Sequence, residues 1–365
     1  MKKIFFSLVA LAALAACSKS EIAYEQTGEI AFSPVAKSVT KSVAGYDYGT
    51  SDTYHKDGND GKFDGVFPIG VKLYVFANAQ DENTDGVLQD SWTSPYFKNA
   101  LFKHSSSKGN EDVQNSVPTT GAYAGDPTRY WPNVKTLKFV GYSDACNVSE
   151  LTPTVNTDLS TLTIAGYVQD NTETAEGAND LMWFPVTQAY GKAAGEIPAQ
   201  MKHACSWITI NVAKHNDLSS IEYKLDKLEL APFAHTGEVV CTQDGATWDQ
   251  NKLSNEKSEV YCELTTGNTL STTQTNFETN KNNFIVIPQT PVDLNVKYTY
   301  TSDADNHLTL TETKPVSLKF NGDAAWVAGV HYIYNITITA TEILIDPVVV
   351  DWTNFNGNNI DKELI

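Results

Sequence analysis

The sequence predicts an all-β protein, two β-sandwich domains in tandem, and three observations carry that expectation. Short runs rich in Val, Ile, Tyr, Phe, Trp and Thr recur along the chain, each bounded by Gly, Pro, Asn, Asp or Ser. Apolar residues alternate with period two inside these runs, whereas helical spacing is confined to brief stretches such as Leu218 to Tyr223. No short-period repeat marks a solenoid or propeller. A chain of 365 residues also exceeds what one hydrophobic core comfortably fills, which argues for two domains.

The first sixteen residues read as an export signal. Lys2 and Lys3 supply positive charge, and Ile4 to Leu14 form an apolar stretch too short to span a bilayer. Leu14-Ala15-Ala16-Cys17 then matches a lipobox, in which small residues precede the cut and the Cys17 thiol takes the lipid. Residues 1–16 are therefore expected to be a lipoprotein signal peptide and 17–28 a polar tether. The acyl chains would anchor the protein to a membrane without a spanning segment.

The N-terminal sandwich is expected over residues 29–192. It opens with a short strand at Glu29 to Ser33, followed by a small-residue segment that carries Lys37 and Lys41. Residues 47–65 have loop composition, and Val71 to Phe76 form a clear strand. Asp81 to Gly125 offers few apolar anchors and reads as a surface excursion. Strands return at Leu137 to Tyr142, Leu162 to Ile164 and Leu181 to Phe184. Thr187 to Pro198, rich in Ala and Gly, is a candidate linker.

The C-terminal sandwich is expected over residues 193–365. Its strands are Trp207 to Val212, Leu225 to Leu230, Phe284 to Ile287, Leu294 to Tyr300, Leu308 to Thr311, Val316 to Phe320 and Tyr332 to Ile338. A terminal strand over 341–352 follows, apolar except at Asp346-Pro347. Either this last strand closes its own sandwich or it completes the sheet of a neighbour by strand addition. The front of the chain carries the matching feature. If the 29–41 segment is cut at Lys41 or Lys37, the first domain loses a strand, and unpaired backbone groups line the groove it leaves.

Charge and residue types exclude several functions. The formal net charge is −18, and losing Lys2 and Lys3 with the signal makes it −20. Such a balance repels nucleic acid and anionic lipid. Arg129 is the sole arginine, so no arginine cluster can bind phosphate. No G-x-S-x-G, S-x-x-K or H-E-x-x-H motif is present, and 44 acidic residues show no catalytic spacing. His203 and His331 lie in or beside strands, where packing is the default role. No enzyme and no cofactor are expected. Asp81 to Gly86 mimics the start of a calcium loop, but its twelfth position is Trp92, which favours a solvated turn over structural calcium. Asp57 to Asp64 reads the same way. Beyond Cys17, Cys146, Cys205, Cys241 and Cys262 form no C-x-x-C pair. Cys241 and Cys262 flank a plausible hairpin and could be bridged, while Cys205 reads as a buried thiol.

Several segments resemble those of the Bacteroidales fimbrillin family. Tyr130-Trp131-Pro132 with Leu137 to Ser143, and Asp180 to Trp183, resemble elements of its first domain. Met201 to Ile210, Phe284 to Thr290, Trp326 to Gly329 with Tyr332 to Tyr334, and Val350-Asp351-Trp352 resemble elements of its second. The resemblance implies transthyretin-like sandwiches and a pilus subunit that reaches the outer membrane as a lipoprotein. It further implies that a trypsin-like protease removes the first strand and that subunits then join one another by strand exchange. Because no arginine precedes Arg129, Lys41, or failing it Lys37, would serve as the processed residue. A host or glycan ligand is compatible with this role. The competing expectation is a surface glycan-binding lipoprotein of the starch-utilisation type.

Overall fold

A computed structural model describes residues 28–35, 72–104, 123–132, 135–143, 151–169, 181–190, 196–218, 221–274, 284–302, 308–319, 324–340 and 342–351. Cys17, Lys37, Lys41, Cys146 and the Asp57 to Asp64 stretch lie outside them. The described residues are all-β. Their strands are β1 (Ala31–Val35), β2 (Leu73–Ala79), β3 (Ser94–His104), β4 (Tyr123–Gly125), β5 (Thr136–Ser143), β6 (Thr152–Val155), β7 (Thr161–Val168), β8 (Met182–Tyr190), β9 (Ile197–Gln200) and β10 (Lys202–His203). The chain continues with β11 (Ser206–Lys214), β12 (Glu222–Thr242), β13 (Gly245–Trp248), β14 (Ser254–Thr269), β15 (Phe284–Val286), β16 (Asp293–Ser302), β17 (Leu308–Ser317), β18 (Val330–Ile338) and β19 (Ile343–Asp351). Among the described residues, helical structure is confined to the 3-10 turns Asn216–Leu218 and Gln250–Lys252. Of the helical candidate at Leu218 to Tyr223, Leu218 ends such a turn, Glu222 and Tyr223 open β12, and residues 219–220 lie outside the described residues.

Eight strands form one sheet in the order β10-β8-β5-β2-β3-β4-β1-β9. The central strands are buried on both faces, so their alternation sorts side chains into two cores. Leu73, Val75, Leu137, Phe139, Met182 and Phe184 point to one side, where Phe102, Tyr123, Ile197 and Ala199 from the far end of the same sheet meet them. Such contact requires the sheet to curl upon itself. Phe76, Val140, Tyr142 and Trp183 point to the other side and pack on Leu162, Ile164 and Tyr167 of β7, Val239 of β12 and Trp248 of β13. Gly141 of β5 is fixed by this crowding, because a Cβ there would strike the Phe184 ring and lie 2.6 Å from the Tyr74 carbonyl oxygen.

The second sandwich faces the sheet β15-β11-β18-β19 against β12, β16 and β17. Ile208, Ile210, Val212, Tyr332, Tyr334 and Ile336 interlock with Leu225, Leu228, Leu230, Leu294 and Val296. The twenty-one-residue β12 belongs to both halves. Its first part pairs with β16 and its last part with β7, over roughly 65 Å at strand rise.

The candidate linker at Thr187 to Pro198 is partly strand. Its start finishes β8, and Ile197 opens β9. β9 and β10, beyond the expected boundary at residue 193, return to pair with β1 and β8. The surface excursion expected from Asp81 to Gly125 is likewise corrected, because it contains β3 and β4. Asn99 in β3 has φ 46°, and the pairing with β2 shifts register between Val75 and Ala77. That bulge breaks the period-two pattern by which a strand is recognised.

Candidate assembly site

The site of interest is the seat of β1. Ile30, Phe32 and Pro34 stand at alternate positions, face inward and are buried. Phe32 is fully buried and its ring makes edge-on contacts with Phe102 at 4.9 Å and Phe139 at 5.3 Å, with Phe184 at 5.8 Å. Edge-to-face geometry at such spacing adds to the burial of a large apolar ring.

The backbone of β1 is held from two sides. It runs antiparallel to β4, with Phe32 opposite Tyr123, and parallel to β9, with Phe32 opposite Ile197. Just before it, the Ile30 amide donates to the Arg129 carbonyl at 2.8 Å, and the Trp131 amide donates to the Gly28 carbonyl at 3.1 Å. Glu29 bridges Tyr130 between these bonds. β9 ends the sheet and has β1 as its ladder partner there. Withdrawing β1 would therefore open two rows of backbone donors and acceptors along an aromatic trench.

The turn behind the seat is built tightly. Lys103, largely buried, pairs with Asp126 at 3.2 Å and ties β3 to the segment after β4. Gly125 admits no Cβ, which would come within 2.8 Å of Arg129 Cγ and 3.0 Å of Pro127 O. The Arg129 guanidinium lies over the Phe97 ring at 5.8 Å.

The other end of the chain presents β19 at a sheet edge. It pairs with β18 along its full length, and Ile343, Ile345 and Val349 pack against the second core while Leu344 is exposed. Pro347 is tolerated because an edge strand has one side free of ladder bonds. The terminal strand expected from the sequence is thus one continuous element across Asp346-Pro347.

Among the described residues singled out for chemistry, Asp81, Asn83 and His331 have protein partners. Asp81 accepts from Ser91 Oγ, from the Thr93 amide and hydroxyl, and from the Ser94 amide and hydroxyl, at 2.7–3.1 Å. These donors outweigh the desolvation that opposes them and hold its carboxyl well below the usual carboxylate range. Asn83 Oδ1 accepts from the Asp85 and Val87 amides, the geometry of a turn. Asp81→Asn should place an amide NH2 against some of these donors and destabilise the protein by about 1–2 kcal/mol, read as a lower urea midpoint.

Cys205 and Cys241 are buried thiols outside any disulfide. Cys241 lies opposite Leu162 and Ala246, whereas Cys262 lies opposite Leu228, thirteen residues earlier along β12, so the pairing allowed by the sequence is not formed. His331 stacks on Trp207 at 3.7 Å and shares a 2.8 Å hydrogen bond with Thr209 Oγ1. The six tryptophans among the described residues are all buried, none more than 8% exposed. Tyr96 and Tyr130 are the exposed aromatic pair, joined by the Tyr96 hydroxyl donating to the Tyr130 carbonyl at 2.7 Å. Among the described residues, no helix is long and apolar enough to cross a membrane.

A family model described as fimbrillin-like matches residues 59–352, and one described as a prokaryotic membrane lipoprotein lipid attachment site matches residues 1–18. A fimbrial protein from Bacteroides vulgatus superposes with a TM-score of 0.54 at 14% identity, covering 89% of this chain and 99% of its own. A cell adhesion protein from Parabacteroides distasonis aligns with a TM-score of 0.44 at 12% identity, covering 90% of this chain and 97% of its own. No curated protein matches.

Proposed function

Because this chain belongs to the fimbrillin-like family, we propose that it is a pilus subunit, structural and adhesive rather than catalytic, that joins its neighbours by strand exchange. The seat of β1 carries the proposal. A five-residue strand fills an aromatic trench between β4 and β9, and the chain leading out of it holds Lys37 and Lys41. Cleavage after Lys41, or after Lys37, removes β1 together with the lipidated Cys17 and leaves the trench empty.

The order of residue types in β19 supports a donor role for the C-terminal strand. Ile30-Ala31-Phe32-Ser33-Pro34-Val35 and Ile343-Leu344-Ile345-Asp346-Pro347-Val348 share Ile, an apolar residue two places on, a polar residue, Pro and Val. In that register Ile343, Ile345 and Pro347 of one subunit enter the sites of Ile30, Phe32 and Pro34 in the next. Pairing satisfies the exposed edges, and apolar burial provides the main favourable term.

On this reading the precursor is carried to the outer membrane by the lipid on Cys17 and displayed at the cell surface. Lys41→Ala should leave the fold intact and keep the subunit out of filaments. Determining the N-terminus of the surface protein checks this directly, with Ser42 expected in filaments and acylated Cys17 in the unprocessed form. Filaments whose subunits all retain acylated Cys17 would overturn the processing step. A sugar-specific monomer that never polymerises would favour the glycan-binding alternative, with Tyr96 and Tyr130 as its exposed aromatic pair.

A further inference from the structure

We propose that the Arg129–Tyr130 bond is a conditional cleavage site, closed while residues 28–35 sit in their seat and open to an arginine-directed endopeptidase when the seat is empty. The proposal uses the seat that the strand-exchange reading empties, but it depends only on how that seat is built. Arg129 is the only arginine in the chain, so such an enzyme has one bond to cut.

Endopeptidases read a substrate as an extended strand, through its backbone N–H and C=O groups. Those groups are already engaged here. The carbonyl of the scissile bond, Arg129 O, accepts from Ile30 at 2.8 Å, and the Trp131 amide donates to Gly28 at 3.1 Å. Glu29 bridges Tyr130 between them, so the N-terminal strand holds the edge a protease would need. The side chain is withheld as well. Arg129 is half-buried, with its Nε buried and its guanidinium 5.8 Å from the centre of the Phe97 ring.

With residues 28–35 gone, the Arg129–Tyr130 bond loses the Glu29–Tyr130 bridge and the Ile30 and Gly28 backbone bonds on either side of it. The Asp126 amide on the Leu101 carbonyl and the Lys103–Asp126 pair still hold the start of the segment, and the Tyr96 hydroxyl on the Tyr130 carbonyl, the Arg129 contact with Phe97 and the Trp131 packing on Phe139 remain beside the bond. The ties beside the bond are made by side chains, which local opening breaks more readily than a strand ladder. Hydrolysis then consumes one water and leaves a carboxylate on Arg129 and an amino group on Tyr130. The cut breaks the covalent link between β4 and β5. A subunit with an empty seat is thereby exposed to removal, and a strand that refills the seat closes the bond again.

The test digests the full chain with an arginine-specific endopeptidase and follows the two fragments that break between 129 and 130. Ile30→Ala loosens the seat next to the guarded bond, while Leu228→Ala removes similar volume from the second core, since both residues are fully buried. The native chain should resist, Ile30→Ala should be cut about 30-fold faster or more, and Leu228→Ala should stay close to the native rate. Rapid cutting of the native chain, no acceleration by Ile30→Ala, or equal acceleration by both variants would each overturn the proposal, the last by showing that global unfolding exposes the bond. Failure of strand exchange gives a different result, namely a guarded bond in a subunit that never forms filaments.

Discussion

Phe32→Ala is expected to destabilise the protein by about 3–5 kcal/mol, the range for deleting a large buried aromatic side chain. Two features place it at the upper end. The Phe32 ring is fully buried among Phe102, Phe139 and Phe184, which belong to three strands whose backbones are fixed by their own ladders, so the cavity cannot collapse cheaply. β1 also has five residues, so the loss falls on a strand with few other apolar anchors. The measurement is urea unfolding followed by amide hydrogen exchange, with protection lost first in β1, β4 and β9 and retained in β11 and β18. Uniform loss of protection across both cores would show that β1 is not a separable element, and strand removal without unfolding would then be untenable. On the strand-exchange reading the same variant should release its first strand to competing peptides more readily.

Much of this architecture was legible in the sequence because half-buried strands announce themselves by alternation. β2, β5, β11, β16 and β18 appear where period-two runs of β-branched and aromatic residues stand. Two of the failures come from the local break in alternation that a bulge produces. β3 is hidden by the left-handed Asn99, and β12 is legible only over Leu225 to Leu230 because Pro232 and Gly237 read as terminators. Both instead fall at register shifts, between Leu230 and Phe233 and between Gly237 and Val239, so the strand runs on through them. Asp346-Pro347 does not interrupt the terminal strand expected over 341–352, because an edge position removes the need for the proline amide.

The seat of β1 was half legible. Glu29 to Ser33 reads as a strand from composition alone, and Lys37 and Lys41 stand beside it in the sequence. Its partners could not be read, because β4 and β9 have three and four residues and carry too little pattern. The parallel pairing of Phe32 with Ile197 also joins residues far apart in the chain, which no local signal encodes. Tyr130-Trp131-Pro132 stood out only through family resemblance. Its physical meaning, a backbone that clasps Gly28 to Ile30 while Trp131 packs on Phe139, emerges from the tertiary arrangement.

Acid should weaken the second sandwich through His331. Burial against Trp207 pushes its imidazole pKa down to about 3 from 6.5, so the folded protein holds it neutral while the unfolded chain protonates it near pH 6.5. Between those values the unfolded state binds more protons, and stability falls as pH falls. At pH 5 the loss amounts to about 2 kcal/mol, with more lost as pH approaches 3. Asp81 contributes in a separate window, because its depressed carboxyl pKa costs stability only as pH drops through and below about 4. Urea midpoints taken from pH 7 to pH 5 therefore report on His331 before Asp81 is engaged. His331→Phe keeps an aromatic ring on Trp207 and removes the titrating group, at the expense of the Thr209 hydrogen bond. The variant should start from a lower midpoint at pH 7 yet lose its slope between pH 6.5 and pH 5. A slope unchanged by the substitution would place the acid sensitivity elsewhere and sink this account of it. Because His331 lies opposite Val350, where β18 pairs with β19, its protonation would loosen the very strand proposed to bridge subunits.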